Sequence, residues 1–547
     1  MDSTLSLLFG SITLAGLAPA IRRRWLLSRA KHPSLGGHSR MARRVARLLP
    51  GYAYDETEFF DRDGAPPALV AQRRQAMQAL SETLQQRHAR TIAMTREARE
   101  GISDLQFTSR YRVPYQFSPL VQQWLPIGAF WSSSNGVTLT DLDGRSFYDL
   151  AGSYGVNLLG YDAYKDLMAE GLRRTQDLGP VLGGYHPVVV DNVRRLRQVS
   201  GQEEVSFHMS GTEAVMQAVR LARYHTRRSH VVRFCGAYHG WWDDVQPGPG
   251  NPQAPGQVYT LADMSERSLA ALRSRRDVAC VLVNPLQALH PNAAAAGDSS
   301  LIDSSRRAGF DRAAYTAWLK SLRALCTERG IVLVLDEVFL GFRLAPGGAQ
   351  EYFGVQADLV TYGKTLGGGW PIGVVCGPHR LMRRYREDRP ADVCFARGTF
   401  NAHPGVMGAM SAFLEHLDRP QTRALYEGLD ERQDARAALL NAELARHDLP
   451  VEVKNLSTVW TVNYTRPSRY NWLLQYYLRE QGIALSWVGT GRMIFSLNWH
   501  DGDFGDFVQR FVSAAQAMRS AGWWWGDAAQ SNRDIRRGLL REMLARR

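Results

Sequence analysis

Ile331-Val-Leu-Val-Leu-Asp336, Leu359-Val-Thr-Tyr-Gly-Lys364-Thr-Leu-Gly-Gly-Gly369 and Ile372-Gly-Val-Val-Cys376 are the runs on which the fold turns. Each apolar core is too short for a helix and lacks the polar alternation of a half-exposed strand, so each reads as a buried strand. Strands are therefore expected over Ile331–Leu335, Leu359–Tyr362 and Ile372–Cys376. Working outward, Val231–Phe234 and Val278–Val283 have the same character, and helical patterns such as Ala214–Arg223 and Asp311–Arg329 lie between the strands. This alternation predicts an α/β fold, a mostly parallel sheet covered by helices. Ligands of such sheets bind beyond the C-terminal ends of the strands, where Asp336 and Lys364 both stand.

The chain has 547 residues, 45% of them apolar and 22% charged. That length implies two or three domains, and that composition excludes a disordered chain, a collagen-like fibre and a polytopic membrane protein. Five cysteines form no CxxC pair and are too sparse for a disulfide framework, which points to a reducing compartment. The net charge is +13, but residues 1–50 hold nine basic residues and one acid, so +8 of it lies there. A near-neutral body with a basic arm is not a nucleic-acid-coating protein. Only Lys31, Lys165, Lys320, Lys364 and Lys454 occur against 61 arginines. Arginine stays protonated and cannot do amine chemistry, so a lysine kept in a Gly-rich loop is a candidate for covalent work.

Leu5 to Ile21 is apolar apart from Ser, Thr and Gly, and Arg22, Arg23, Arg24, Arg29 and Lys31 follow. Seventeen residues suit a marginal span or an interfacial helix, and equally a helix packed on the protein's own surface. Ala18-Pro19-Ala20 resembles a cleavage site, yet no basic region precedes the apolar run as a signal peptide requires. The basic flank would keep the body cytoplasmic, with membrane-surface contact through residues 1–30. The expected layout is an N-terminal extension over 1–105 with helices in 66–100, a first part of a small domain over 106–160, a large domain over 161–404, the rest of the small α+β domain over 405–525, and a helical tail over 526–547. Gly136–Gly144 reads as strand and Asp-Gly turn leading into another strand. Strands are expected near 451–464 and 483–498. Trp523-Trp524-Trp525 could be core or an exposed patch.

Four short segments carry chemistry. Ser210-Gly211-Thr212-Glu213-Ala214 opens a helix, whose free N–H groups favour a phosphate; a plainly capped helix is the alternative. Asp336 ends a buried strand, as a ligand-facing carboxylate, a helix cap or a metal ligand. Lys364 lies in a Gly-rich loop that is no Walker motif, because position 358 is Asp. Burial would lower its pKa and free a neutral amine for a Schiff base; a phosphate-binding lysine is the alternative. Tyr238-His239-Gly240 follows a strand and offers an aromatic ring for stacking or for the core. Together they match the needs of pyridoxal 5'-phosphate: a lysine for the aldehyde, an acid for the ring nitrogen, an aromatic over the ring and a phosphate cup.

With these pieces the chain resembles the class III, fold type I, pyridoxal-phosphate aminotransferases. The likeness is to the glutamate-1-semialdehyde aminomutase branch and to aminotransferase domains of polyketide and lipopeptide synthases. It is carried by Ser210-Gly-Thr-Glu-Ala-Val-Met216, Tyr238-His-Gly240, Asp336-Glu-Val, Gly341-Phe-Arg343, Tyr362-Gly-Lys-Thr-Leu-Gly-Gly-Gly369, Pro371-Ile-Gly373 and Gly398-Thr-Phe400, and spans about residues 125–520. The resemblance implies that Lys364 is the Schiff-base lysine and proton shuttle. It implies that Asp336 pairs with the pyridinium, that Tyr238 stacks on the ring with His239 beside it, and that Ser210, Gly211 and Thr212 bind the phosphate. It implies a homodimer in which Thr399 reaches the phosphate of the neighbouring subunit's cofactor, and places Tyr154 and Asn157, in Gly152-Ser-Tyr-Gly-Val-Asn157, near the substrate. No metal is expected.

There are departures. Asn284-Pro285 stands where the family usually has Glu-Pro, and Gln287 after it is expected at the cofactor's hydroxyl; Ala402-His403-Pro404 replaces Gly-Asn-Pro. Trp370 and Trp241-Trp242 are bulky additions near the expected pocket. The resulting expectation is transamination between an amino donor and a carbonyl acceptor, free or carrier-bound, with an apolar or acyl chain. Aminomutation within one molecule is the alternative, and a non-catalytic membrane-associated relative is a third.

Overall fold

The structure is a computed structural model. It describes residues 18–546 except 34, 36–37, 247–249, 251–255, 290–306, 487–490 and 527–529. Most of the apolar run 5–21 thus lies outside the described residues.

Strands β1 (Trp131–Asn135), β2 (Thr138–Asp141) and β3 (Ser146–Asp149) form an antiparallel meander across the Asp-Gly turn. The central sheet follows, built of β4 (Glu204–His208), β5 (His230–Phe234), β6 (Val258–Leu261), β7 (Val278–Val283), β8 (Val332–Asp336), β9 (Leu359–Gly363) and β10 (Gly373–Gly377), in the order β4-β10-β9-β8-β7-β5-β6. Neighbours are parallel except for β10, which runs antiparallel to both β9 and β4. Every residue of β7, β8, β9 and β10 is buried. Helices cover both faces of such strands, and continuous apolar runs are the mark of that burial. The helix Gly211–Thr226 is capped by Ser210, and Arg312–Arg329 by Asp311 at its start and left-handed Gly330 at its end.

Two expected strands are corrected by one residue. The segments expected at Ile331–Leu335 and Ile372–Cys376 run Val332–Asp336 and Gly373–Gly377, because Asp336 still pairs with Thr361 and Gly377 with Glu204. Strands β4 and β6 carry no continuous apolar run, since both sit at sheet edges with partly exposed residues. The β6 edge is partly covered by the N-terminal segment. Residues 18–30 are helical, Lys31 bridges to Leu261, and the amide of Ala262 donates to the Ala30 carbonyl at 2.9 Å. Among the described residues, no helix is long and apolar enough to cross a membrane.

Strands β11 (Val451–Leu456), β12 (Val459–Tyr464) and β14 (Arg492–Ile494) form a third sheet, while β13 (Ile483–Ala484) adds parallel to β3. Helices Pro67–Arg87 and Ala89–Gly101 fill the expected helical region. They do not stand apart. Phe59, Phe60, Met77, Leu80 and Leu84 share one core with Trp460, Trp472, Phe507 and Trp523. Arg73 pins this junction: its fully buried guanidinium pairs with Asp63 at 2.6 Å, donates to the Gly522 carbonyl at 2.9 Å and lies over the Tyr470 ring. Trp523 is buried there, with its indole N–H on the Tyr477 hydroxyl, whereas Trp525 reaches the surface. The tail contains the helix Asn532–Ala545. All five cysteines are buried, and none forms a disulfide among the described residues.

Candidate active site

Asp336 ends β8, and Lys364 follows the next strand, β9, so the parallel register brings both to one edge of the sheet. Asp336 is buried. Its Oδ1 accepts from the Thr361 hydroxyl and the Val338 amide, both at 3.2 Å, and its Oδ2 lies 2.8 Å from Nδ1 of His239. A carboxylate here makes Nδ1 the donor. The other ring nitrogen of His239, Nε2, is buried and has no hydrogen-bond partner.

Lys364 adopts a left-handed backbone, φ 42°, a conformation strained for any residue with a Cβ. Its ammonium makes no hydrogen bond among the described residues and lies 5.4 Å from the centre of the Phe339 ring. Burial pushes its pKa down, opposed by the attraction of Asp336 and aided by the charge of Arg343. A larger share of neutral amine results. Arg343 is itself fully buried. It donates to the backbone carbonyls of Gly155, Asn157 and Phe495, and so ties the Tyr154 segment to the Lys364 crevice.

A third wall comes from the helix that starts at Gly211. Its N-terminus abuts β10 so closely that a Cβ on Gly373 would meet the Ser210 carbonyl oxygen at 1.9 Å. A Cβ on Gly240 would meet the Thr212 hydroxyl at 2.6 Å. Ser210 Oγ accepts from the Glu213 amide at 3.3 Å, the capping alternative raised by its sequence, and its own hydroxyl hydrogen is left to donate. Gly211, Thr212 and the helix N-terminus thus sit in a cradle of small residues that suits an anion.

The remaining sequence candidates are spread around this crevice. Tyr238 is 58% exposed; burial and the Asp336 charge raise its pKa, and its backbone carbonyl accepts from Asn284. Gln287 is buried with its amide nitrogen 2.6 Å from the Cys235 carbonyl. Tyr154 is half-exposed on a left-handed backbone. Asn157 is buried, accepting from the Gly160 amide at 2.9 Å in the turn before the helix Tyr161–Thr175. Trp370 packs against the main core, while Trp241 is exposed. Thr399 is exposed, in a surface stretch with Val393, Phe395 and Phe400. Phe339, Thr361 and Arg343 had no assigned role in the sequence reading. Phe339 and Arg343 stand within seven residues of Asp336 in chain, but only the fold shows what they face.

The residues present fit pyridoxal phosphate. A half-buried amine with no hydrogen-bond partner among the described residues, a carboxylate oriented by a buried histidine and a small-residue cradle at a helix N-terminus lie around one crevice.

A family model for class III aminotransferases matches residues 122–514. The glutamate-1-semialdehyde 2,1-aminomutase of Methanothermobacter thermautotrophicus is 32% identical over 369 residues, 64% of this chain and 81% of that protein. The enzyme of that name from Myxococcus xanthus is 31% identical over 383 residues, 66% of this chain and 82% of its own. Among solved structures, a transaminase with pyridoxal phosphate bound superposes with a TM-score of 0.63 and 26% identity, covering 80% of this chain and 99% of that one. A glutamate-1-semialdehyde aminomutase from Pseudomonas aeruginosa shares the fold, with a TM-score of 0.65 at 18% identity over 82% of this chain and 99% of its own.

Proposed function

Since this chain belongs to the class III aminotransferases and is a pyridoxal-phosphate-dependent enzyme, we propose that Lys364 and Asp336 perform amino-group transfer between an amino donor and a carbonyl acceptor. The observation that supports this most is the half-buried amine of Lys364, with no hydrogen-bond partner among the described residues, near the His239-oriented carboxylate of Asp336. When bound, the cofactor supplies an aldehyde that condenses with amines and a ring that withdraws electrons from the carbon bearing the amine. Lys364 Nζ, its pKa lowered by burial, would be the nucleophile that holds the cofactor and then the base that carries a proton to and from that carbon. Asp336 would keep the proton on the ring nitrogen, and His239, 2.8 Å away, holds the Asp336 carboxylate in place. Ser210, Gly211 and Thr212 bind the phosphate with helix N–H groups. Tyr238 would cover the ring, and Gln287 would lie at its hydroxyl. Replacing Lys364 by Ala should abolish both the visible absorption of the holoenzyme and turnover. An active, still yellow variant would end the assignment.

Aminomutation within one molecule is a second reading, favoured by the names of the curated relatives. A single amino substrate that yields a free keto product supports transamination; conversion with no second carbonyl compound supports the mutase. The exposed stretch Val393–Phe400 is read as a subunit contact that carries Thr399 to a second copy. Sedimentation equilibrium giving a dimer is the expected result. Residues 161–404 form the cofactor-binding unit in this reading, and 106–160 with 405–525 the smaller one. Contact with an anionic membrane surface is a further part of it. It is supported by Ile21 and Trp25, exposed among Arg22, Arg23 and Arg24 on the helical residues 18–30.

A further inference from the structure

Arg112 and Arg479 line one cleft of about 660 Å³, together with Trp131, Ser133, Asp149 and Tyr154. Neither arginine has an ion-pair partner among the described residues. Arg479 is nine-tenths buried, stacked on the Trp131 and Phe147 rings, with one bond to the Gly128 carbonyl at 3.1 Å. Among the described residues the Arg112 side chain reaches only that of Gln475, at 3.5 Å. Burial pushes both guanidinium pKa values down, that of Arg479 to about 10, and the charge of Arg112 adds to the fall at Arg479. Two like charges facing one cleft, one of them buried, without an acid between them cost stability.

The nearby acids do not answer that charge. Asp149 is occupied by the Tyr161 hydroxyl and the amides of Ala151 and Gly152. Asp141 attracts Arg479 but is bonded to His88 and to the amides of Asp143 and Arg145. The cleft also adjoins the crevice of Lys364. Tyr154 is next to Gly155, a Cβ on Gly155 would strike the Phe339 ring, and that ring faces Lys364 Nζ. Arg112 precedes the segment 122–514 that matches the family, so this wall is a feature of the chain's own extension.

We propose that this cleft is an outer subsite for the substrate, in which Arg112 and Arg479 receive an oxyanion group, a carboxylate or a phosphate, at the end remote from the reacting amine. The arginine fork matches either group through paired N–H donors, and the aromatic stacking of Arg479 fixes its plane in advance. The inference rests on reading the Lys364 crevice as the site of amine transfer.

The test is calorimetric titration of the holoenzyme with glutarate and, separately, with inorganic phosphate. The native enzyme should bind at least one, and Arg112→Gln should weaken that binding by about tenfold or more, with Arg112→Lys between the two. Tighter glutarate identifies a carboxylate subsite and tighter phosphate a phosphate one. Arg479→Gln is the second variant, read only while its visible band matches that of the native holoenzyme. Absence of millimolar binding of both anions to the native enzyme overturns the proposal, as does unchanged binding in Arg112→Gln. Arginine-dependent binding in an enzyme whose visible band no amine bleaches removes the amine-transfer reading and leaves the anion subsite standing. Amine bleaching without anion binding removes the subsite alone.

Discussion

His239 places Nδ1 2.8 Å from Oδ2 of Asp336 while its Nε2 stays buried and unpartnered. The imidazole therefore has one structural task on this side, to donate to the carboxylate. A hydrogen bond to a charged group contributes about 1.5–3 kcal/mol. His239→Ala should loosen cofactor retention by about tenfold or more. Equilibrium dialysis against pyridoxal phosphate measures it, and a kcat falling with an unchanged cofactor affinity would contradict the positioning role.

Lys364 is held with a depressed pKa by burial. The unfolded chain, with an ordinary lysine, binds more protons between the two pKa values, so this group's contribution to stability rises with pH through that window and is most unfavourable below it. In the cofactor-free enzyme, Lys364→Met should raise the Tm at pH 7. The gain should shrink as pH approaches the ordinary lysine range. Thermal melts across that range check the sign.

Gly373 has no room for a methyl group, with the Ser210 carbonyl oxygen 1.9 Å from where a Cβ would stand. Gly373→Ala must move the start of the helix Gly211–Thr226 or bend β10. Overpacking of this kind costs about 1–3 kcal/mol, and here it also displaces the anion cradle. Denaturant unfolding should show the loss, accompanied by weaker pyridoxal phosphate binding.

Arg73 and Asp63 form a buried pair at 2.6 Å. Removing one partner strands a charge, at about 3–5 kcal/mol. Arg73→Leu should lower stability by that order, and adding Asp63→Asn should restore part of it. Urea denaturation of both variants decides, because a merely spatial role for Arg73 predicts no rescue.

The helical residues 18–30 expose Ile21 and Trp25 beside three consecutive arginines. The full chain should cosediment with vesicles containing anionic lipid, less so as salt rises. A chain lacking residues 1–30 should remain in the supernatant. Recovery of both in the supernatant removes the membrane contact.

The strongest sequence signals were those in which one residue's surroundings are dictated by its own neighbours. The fully buried strands β7, β8, β9 and β10 are legible because apolar runs with helices between them have few other folds. The edge strands β4 and β6 were not, because half their residues face solvent and need no apolar pattern. Asp336 and Lys364 stood out because each closes a strand, and strand ends converge. The partners that orient them lie far away in chain. His239 is 97 residues from Asp336, and no local pattern carries such a pairing.

What the sequence determined by itself is therefore the sheet's interior, the family and the cofactor, since hydrophobic period and short motifs are local properties. Only the tertiary structure decided that Trp523 is core, that the helices after residue 66 share a core with Trp472 and Phe507, and that Arg112 meets Arg479 across 367 residues of chain. These depend on which distant surfaces exclude water together, and that is settled by packing rather than by any window of sequence.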